Sequence, residues 1–492
     1  MDALRALLAV DRERSGVAAG AAAARAALSA PRLSSAPTRR LLASLGSPQR
    51  LLRLVHVVGS KGKGSTAALL ASVLRTAGIA TGEYSSPHVA SAGERLRVQG
   101  APASDRELEE LVARHEGAVR AAAAAEAARG GALSVFEALT ALGVARFAER
   151  GVQVAVLEAG LGGVTDATNV APADGSGLDA VVMTAVHREH AAALGGGVQA
   201  AARAKAAVAR PGAPFVLGPQ PHAAAEAVAR GEACSRGAAL LSVREACDFG
   251  VGSRGEVYVH VRGAEGGVVP AGGGVRLDGL RLALRGGFQA ENAATAACAA
   301  LALRARGGEL YGGVDAAALA AGLQAEGVAD AVPARFQVVR AAGGLRVVVD
   351  GAHTSLSARA LGEALRGEFR GARVALATAM ADDKDAAAFA ASLAEGLGEP
   401  LGAVVACEAE VGGGAARSLP AGALAAAWRG ACAGAAARHV EVCEAGGAGA
   451  AVRRAAALVE AQGGGVVCAA GSFGMAAPAL KYARARGAQE AT

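Results

Sequence analysis

Leu54-Val55-His56-Val57-Val58-Gly59-Ser60-Lys61-Gly62-Lys63-Gly64-Ser65-Thr66 decides how the rest of the chain is read. A short apolar, partly β-branched run meets a glycine, and a helical pattern opens near Lys63, so the order is strand, Gly-rich loop, helix. Glycines let backbone N–H groups turn inward on a polyphosphate, the following helix presents its positive end, and a lysine reaches the terminal phosphates. Ser65 or Thr66 then stands where a hydroxyl holds Mg²⁺. The candidate nucleotide-binding set is therefore Gly59, Ser60, Lys61, Gly62, Lys63, Gly64, Ser65 and Thr66, with Lys63 also a candidate catalytic residue. The loop is shorter than the common G-x-x-x-x-G-K-[ST] and fits G-x-x-G-K-[GST]-[ST].

Lysine usage gives this loop its weight. Of fifty basic residues only Lys61, Lys63, Lys205, Lys384 and Lys481 are lysine, asparagine occurs only at Asn169 and Asn292, and isoleucine only at Ile79. All three residue types have A/T-rich codons, so a GC-rich coding background accounts for their loss wherever Arg, Ser, Gly or Val serves. The survivors cluster in motifs, which points to an enzyme that uses a nucleotide and a metal.

At 492 residues the chain has room for two or three domains, each with its own core. It is 52% hydrophobic but 3% aromatic, so Ala, Val and Leu must build a closely approaching interior. Arg, Glu or Gly interrupts every apolar stretch before about 18 residues, which excludes a membrane-spanning helix. The net charge of +6 is spread along the chain without aromatic-interleaved basic patches, so nucleic acid is not an expected partner. Seven cysteines with no C-x-x-C pair fit a reducing, intracellular compartment, cytosol or mitochondrion. The first residues, MDALRALLAVDRERSG, read as the domain's own first helix rather than a signal or transit peptide, and residues 17–45 as a connection.

Apolar runs at 152–157 and 180–186, with a helix over 134–149, continue the alternation of a mainly parallel sheet covered by helices. Residues 241–286, with Tyr258, Val259, Val261 and many glycines, read as β-rich decoration. A second alternation begins beyond Pro333: strands at 345–349, 373–378, 401–406 and 464–469, and helices at 355–369, 385–396, near 420–435 and at 446–461. The expected architecture is α/β: a P-loop-type domain over 1–335 and a smaller Rossmann-like domain over 336–492. The Ala/Gly-rich stretches 120–132 and 410–450 are helix-compatible and carry no function.

Three further motifs lie in the first domain. Tyr84-Ser85-Ser86-Pro87-His88 is by itself an ordinary turn, and it gains weight from the next motif. Leu157-Glu158-Ala159-Gly160-Leu161-Gly162-Gly163 places an acid at the carboxyl end of a strand, where open α/β sheets bind ligands, and Asp166-Ala167-Thr168-Asn169 follows. Glu158 suits a hard cation such as Mg²⁺, and as a solvated acid in a glycine loop it would do nothing. His190 ends another strand ahead of the helix bearing Lys205. Alone, it is more often packed than ligating. Desolvation would expose Lys205 as a neutral amine able to form a carbamate, an anionic oxygen ligand.

In this order the motifs resemble the folylpolyglutamate synthase and dihydrofolate synthase family of the Mur ligase superfamily, across nearly the whole chain. The short Gly loop is that of ATP-dependent amide-forming ligases. Gly287-Phe288-Gln289-Ala290-Glu291-Asn292-Ala293 resembles the family's G-H-Q-x-x-N-A, with Phe288 for His, and Pro333-Ala334-Arg335-Phe336 its P-G-R-[LF], with Ala334 for Gly. Asp350-Gly351-Ala352-His353-Thr354 resembles D-G-A-H-N, while Asp383-Lys384-Asp385 and Gly471-Ser472 match the D-K-D and late G-S motifs. Lys61, Glu189, Thr354 and the strings E-H-x-x-A-L-G-G and M-A-x-D-K-D are similar to plant and algal dihydrofolate synthases; Ala204 is a further departure.

The resemblance implies ligation of L-glutamate to a pterin-bearing carboxylic acid. ATP phosphorylates the carboxylate, the glutamate amine attacks the acyl phosphate, and amide, ADP and phosphate leave. It assigns a first Mg²⁺ to Ser65, Ser86 and Glu158, and a second to His190 and carbamylated Lys205. Asn292, Arg335, Asp350 and His353 would contact ATP, and Lys63, His190, Lys205 and His353 would be catalytic. Expected partners are small molecules only, dihydropteroate or folate, L-glutamate and ATP, on a monomer, with dihydropteroate the favoured acceptor. Folylpolyglutamate synthesis, a bifunctional enzyme and an inactive nucleotide-binding paralogue are the alternatives.

Overall fold

The run that opens on Leu54 forms β1 (Arg53–Val58), buried at every residue but the first. Continuous burial of this kind belongs to a parallel strand with helices on both faces. In the computed structural model residues 34–172, 174–187, 196–398, 401–411, 417–432, 441–487 and 489–490 are described. The proposed amino-terminal helix lies outside them. The chain divides into two units, Met1–Ala283 with Phe288–Ala331, and Leu284–Gly287 with Val332–Thr492.

In the first unit α1 (Lys63–Thr76) follows β1, then come β2 (Thr81–Tyr84), β3 (Leu96–Val98), β4 (Ala101–Pro102), α2 (Val135–Glu149), β5 (Val154–Glu158), β6 (Leu178–Met183), α3 (Gly197–Ala206), β7 (Pro214–Leu217) and β8 (Ala239–Ser242). They make one sheet, ordered β4-β3-β2-β5-β1-β6-β7-β8. The six strands from β2 to β8 are mutually parallel, and β3 and β4 are antiparallel at one edge. The loops after β1, β2, β5 and β6 therefore leave the same edge of the sheet, beside one another. From β1 the chain crosses to β2 on one side, and from β5 to β6 on the other, the topological reversal beside which open sheets hold ligands.

Beyond β8, three antiparallel strands, β9 (Cys247–Val251), β10 (Val257–Val261) and β11 (Val275–Leu280), form the decoration expected over 241–286. α4 (Gln289–Ala305) and α5 (Ala316–Gln324) complete the unit. Low aromatic content shows directly in the packing. The alanines of α4 are buried almost without exception, and a Cβ on Gly322 of α5 would fall 2.5 Å from the Cα of Val73 on α1. Backbones this close leave no room for larger residues.

The second unit holds β12 (Gln337–Arg340), β13 (Arg346–Val349), α6 (Ser355–Glu368), β14 (Val374–Thr378), α7 (Ala386–Leu397), β15 (Ala403–Cys407), β16 (Glu441–Ala445), β17 (Val466–Ala470) and β18 (Gln489–Glu490). Its sheet runs β16-β15-β14-β17-β13-β12-β18, and the strands from β13 to β16 are parallel. α6 and α7 touch backbone to backbone at two glycines. A Cβ on Gly362 would meet Leu393 O at 2.5 Å, and one on Gly396 would meet Arg359 O at 2.3 Å.

The architecture is the expected α/β one, with local corrections. The run expected as a strand over 180–186 pairs only to Met183, because Ala185 O turns to accept the amides of Ser60 and Lys61 while Val186 N donates to Gln220. The second alternation opens on β12, ahead of the expected strand at 345–349. Among the described residues no helix is long and apolar enough to cross a membrane.

Candidate functional site

The Gly loop is built on its neighbours as well as on its own sequence. Ser60 N and Lys61 N donate to Ala185 O at 2.9 and 3.1 Å, which fixes the loop to the segment after β6. Gly59 and Gly62 have φ of 149° and 85°, and side chains there would collide with Thr184 Oγ1 at 1.9 Å and Asn292 Oδ1 at 2.3 Å. Glycine is required twice over, by conformation and by space. Gly62 caps α1 and its carbonyl accepts the Thr66 amide at 2.9 Å, so the N–H groups of Lys63, Gly64 and Ser65 in the first turn point off the helix end. Lys63 Nζ lies 3.4 Å from Ser60 O, curled over the loop. Thr66 is buried with its Oγ1 3.4 Å from Asn292 Oδ1, so of the two candidate hydroxyls Ser65 is the one left for a metal.

Two acids define the adjoining edge. Glu158, 3% exposed at the end of β5, accepts the amide of Ser86 at 2.9 Å, which joins the loops after β2 and β5. Asp166 is buried and fully used locally: it accepts from Leu161 N at 2.7 Å, Thr168 N at 2.9 Å and Thr168 Oγ1 at 2.6 Å. It holds the Gly-rich turn closed around Glu158. Beneath them His56 Nε2 meets Thr168 Oγ1 at 2.9 Å, and burial depresses its pKa to about 4, so the ring is neutral.

Lys205 reaches the same place from α3. It is 3% exposed, and its Nζ donates to Gly59 O at 2.6 Å. Gly163 permits this approach, since a Cβ there would fall 2.7 Å from both Ala204 O and Lys205 Cα. Ser86, Glu158, Lys205 and the loop from Gly59 to Thr66 thus come together, with Asn292 against Gly62. His190 and Glu189 lie outside the described residues.

In the second unit Asp350 accepts from Phe336 N and Ala352 N, both at 2.7 Å, and Gly351 N donates to Ala334 O at 2.9 Å. The Arg335 guanidinium lies 4.7 Å from the centre of the Phe473 ring. His353 Nδ1 is 2.7 Å from Gly351 O, which places its proton on that nitrogen. Thr354 and Asp385 are helix caps, for α6 and α7, and Lys384 pairs with Asp383 at 3.3 Å. The sequence signalled Ser472 only as part of a G-S pair and gave no sign of Thr378. Their hydroxyls are both buried without a hydrogen-bond partner at the carboxyl ends of the adjacent strands β14 and β17. Both lie at carboxyl strand ends, the side on which open α/β sheets bind ligands.

Comparison with known proteins agrees with this fold. The glutamate ligase domain of Mur ligases matches residues 334–473. A probable bifunctional folylpolyglutamate synthase/dihydropteroate synthase of Haloferax volcanii is 37% identical over 318 residues, which are 64% of this chain and 34% of that protein. The chain thus spans about a third of that relative. A dihydrofolate synthase/folylpolyglutamate synthase of Bacillus subtilis is 31% identical over 355 residues, 70% of this chain and 75% of that protein. The crystal structure of Mycobacterium tuberculosis folylpolyglutamate synthase complexed with ADP and AMPPCP superposes with a TM-score of 0.75 at 26% identity, covering 91% of this chain and 95% of that one. With a parallel sheet, a short Gly loop and Glu158, Ser86 and Lys205 at one edge, the chain belongs to the folylpolyglutamate synthase/dihydrofolate synthase family.

Proposed function

We propose that this chain joins L-glutamate to a pterin-bearing carboxylic acid at the expense of ATP, through an acyl phosphate. One observation carries the reading: the Gly loop, Glu158 with Ser86, and Lys205 meet at one sheet edge, on elements far apart in sequence. The loop glycines let the backbone take a path and an approach to Thr184 and Asn292 that side chains would bar, and the first-turn amides of α1 face outward, so a polyphosphate fits. Buried Glu158, with Ser86 and Ser65, offers the oxygen donors a hard divalent cation takes.

ATP and its cation would supply the phosphoryl group and neutralise its charge; positioning then falls to the protein. Lys63 would track the transferring phosphoryl group, Glu158 and Ser65 would fix the first cation, and His190 with carbamylated Lys205 a second. Asn292, Arg335, Asp350 and His353 would hold the nucleotide, within an ATP-binding domain over 1–335 and a glutamate ligase domain over 336–492. Thr378 and Ser472 are candidate contacts for the amino acid.

On the acceptor, the Bacillus subtilis relative carries both synthase names, which supports a two-activity enzyme more than the dihydropteroate-only reading drawn from Glu189-His190 and Asp350-Gly351-Ala352-His353-Thr354. Dihydropteroate as the better acceptor is the narrower proposal. The acyl phosphate is tested with an acceptor whose carboxylate carries heavy oxygen. One labelled oxygen must appear in the released phosphate; unlabelled phosphate alongside amide product would exclude the route.

A further inference from the structure

Arg335 stands between two left-handed residues, Ala334 and Phe336, with φ of 58° and 51°. Asp350 clamps this turn by accepting Phe336 N at 2.7 Å, and Gly351 N closes it on Ala334 O at 2.9 Å, so the backbone that carries the guanidinium is fixed. A long arginine side chain still keeps its rotamers unless something holds them. Phe473 holds this one: the guanidinium lies 4.7 Å from the centre of its ring. Both groups sit over Gly351, where a Cβ would fall 2.6 Å from Phe473 Cζ and 2.9 Å from Arg335 Nη1. The ring is anchored in turn. Asp350 N donates to Ala469 O at 3.0 Å and Gly471 N to Ala352 O at 2.8 Å, which laces the segment after β13 to the one after β17. A Cβ on Gly474, the residue after Phe473, would fall 2.1 Å from Glu410 O, so the backbone behind the ring is closely packed.

We propose that Phe473 is the positioning residue for Arg335, holding the guanidinium flat over Gly351 with its donors presented to the nucleotide phosphates. This rests on the reading of Arg335 as a nucleotide contact and adds a residue that the motifs passed over, since the late G-S pair ends at Ser472. The choice of partner matters chemically. A carboxylate would orient the arginine by taking its N–H donors and cancelling its charge. A ring attracts the face of the cation through its quadrupole and leaves the five donors and the charge for an anion. An aliphatic side chain in the same slot would pack against the guanidinium without that attraction. ATP then meets a fork whose rotamer is already chosen, and binding is spared the cost of ordering it.

The test uses the full chain in ligation of L-glutamate to dihydropteroate with Mg·ATP, and measures Mg·ADP binding alongside. Phe473→Leu keeps an apolar side chain but removes the ring. It should raise the KM for ATP and the Kd for ADP by roughly fivefold, the scale of one cation–π contact, with kcat and the KM for dihydropteroate little changed. Phe473→Tyr, which keeps the ring face, should restore both. In an Arg335→Ala background, itself weaker for ATP and ADP, Phe473→Leu should add nothing, because the ring acts through the guanidinium. Wild-type KM and Kd in Phe473→Leu, an equal rise in Phe473→Tyr, or an equal further loss in the Arg335→Ala background would overturn the proposal. Wild-type nucleotide affinity in Arg335→Ala would remove Arg335 from the nucleotide site, and the proposal with it. A wild-type chain that binds ADP but ligates no glutamate would overturn the proposed ligation, while the ADP series would still decide the role of Phe473.

Discussion

Lys205 shows how a residue's survival and its placement reinforce each other. In a chain that otherwise uses arginine, it ends 2.6 Å from Gly59 O at 3% exposure. Arginine keeps a donor but is larger, permanently charged and unable to form a stable carbamate. Lys205→Arg should therefore cut ligase turnover by about tenfold or more; a variant with wild-type kcat would remove Lys205 from the mechanism, and intact-mass analysis would check the carbamate separately. Lys63, at the first turn of α1, makes little core contact, so Lys63→Ala should keep the fold and its circular dichroism while lowering kcat at least about a hundredfold. Both lysines were legible because codon pressure had cleared the background around them. Thr378 was not, since an orphan hydroxyl is a property of packing, and Thr66 drew attention as a metal ligand although Asn292, more than two hundred residues away in sequence, claims it.

At the scale of elements, short apolar runs located β1, β5, β14 and β17. β16 escaped because Glu441 and Glu444 interrupt an edge strand that is only half-buried. β6 was read too long because the carbonyl of Ala185 serves the Gly loop, a tertiary demand invisible locally. The turn 334–336 carries a testable strain. Ala334 and Phe336 have φ of 58° and 51°, a left-handed conformation that side chains disfavour, and Ala334 stands where the family motif has glycine. Relief of about 1–2 kcal/mol is partly offset by the greater freedom glycine has when unfolded. Ala334→Gly should stabilise the second unit by about 0.5–1 kcal/mol in denaturant unfolding. A lower midpoint would show that the turn is not strained.

For the whole molecule, the alternation along the chain disclosed two α/β layers, while the closeness of their helices follows from small residues whose contacts no local pattern specifies. Stability should also carry a pH signature from Glu83. Burial raises its pKa to about 7, opposed by Arg97 and Arg75 and reinforced by Glu158, and its Oε1 has no hydrogen-bond partner. Because the folded state holds this proton more tightly than the unfolded chain, the group favours folding most below the ordinary carboxylate range, and that contribution is lost as pH rises through 7. Glu83→Gln should flatten this slope, gaining about 2 kcal/mol relative to wild type between pH 5.5 and 8. Parallel stability profiles for the two proteins would show that Glu83 does not titrate in this window.

The central claim is that the sheet edge bearing Lys63, Glu158 and Lys205 couples ATP cleavage to glutamate ligation. Its most direct test incubates the purified chain with Mg·ATP, L-glutamate and either dihydropteroate or tetrahydrofolate, and follows product mass together with ADP. The account predicts one added glutamyl residue per ADP formed, with dihydropteroate the better acceptor. Neither acceptor gaining glutamate, or ADP forming equally without any acceptor, would contradict it.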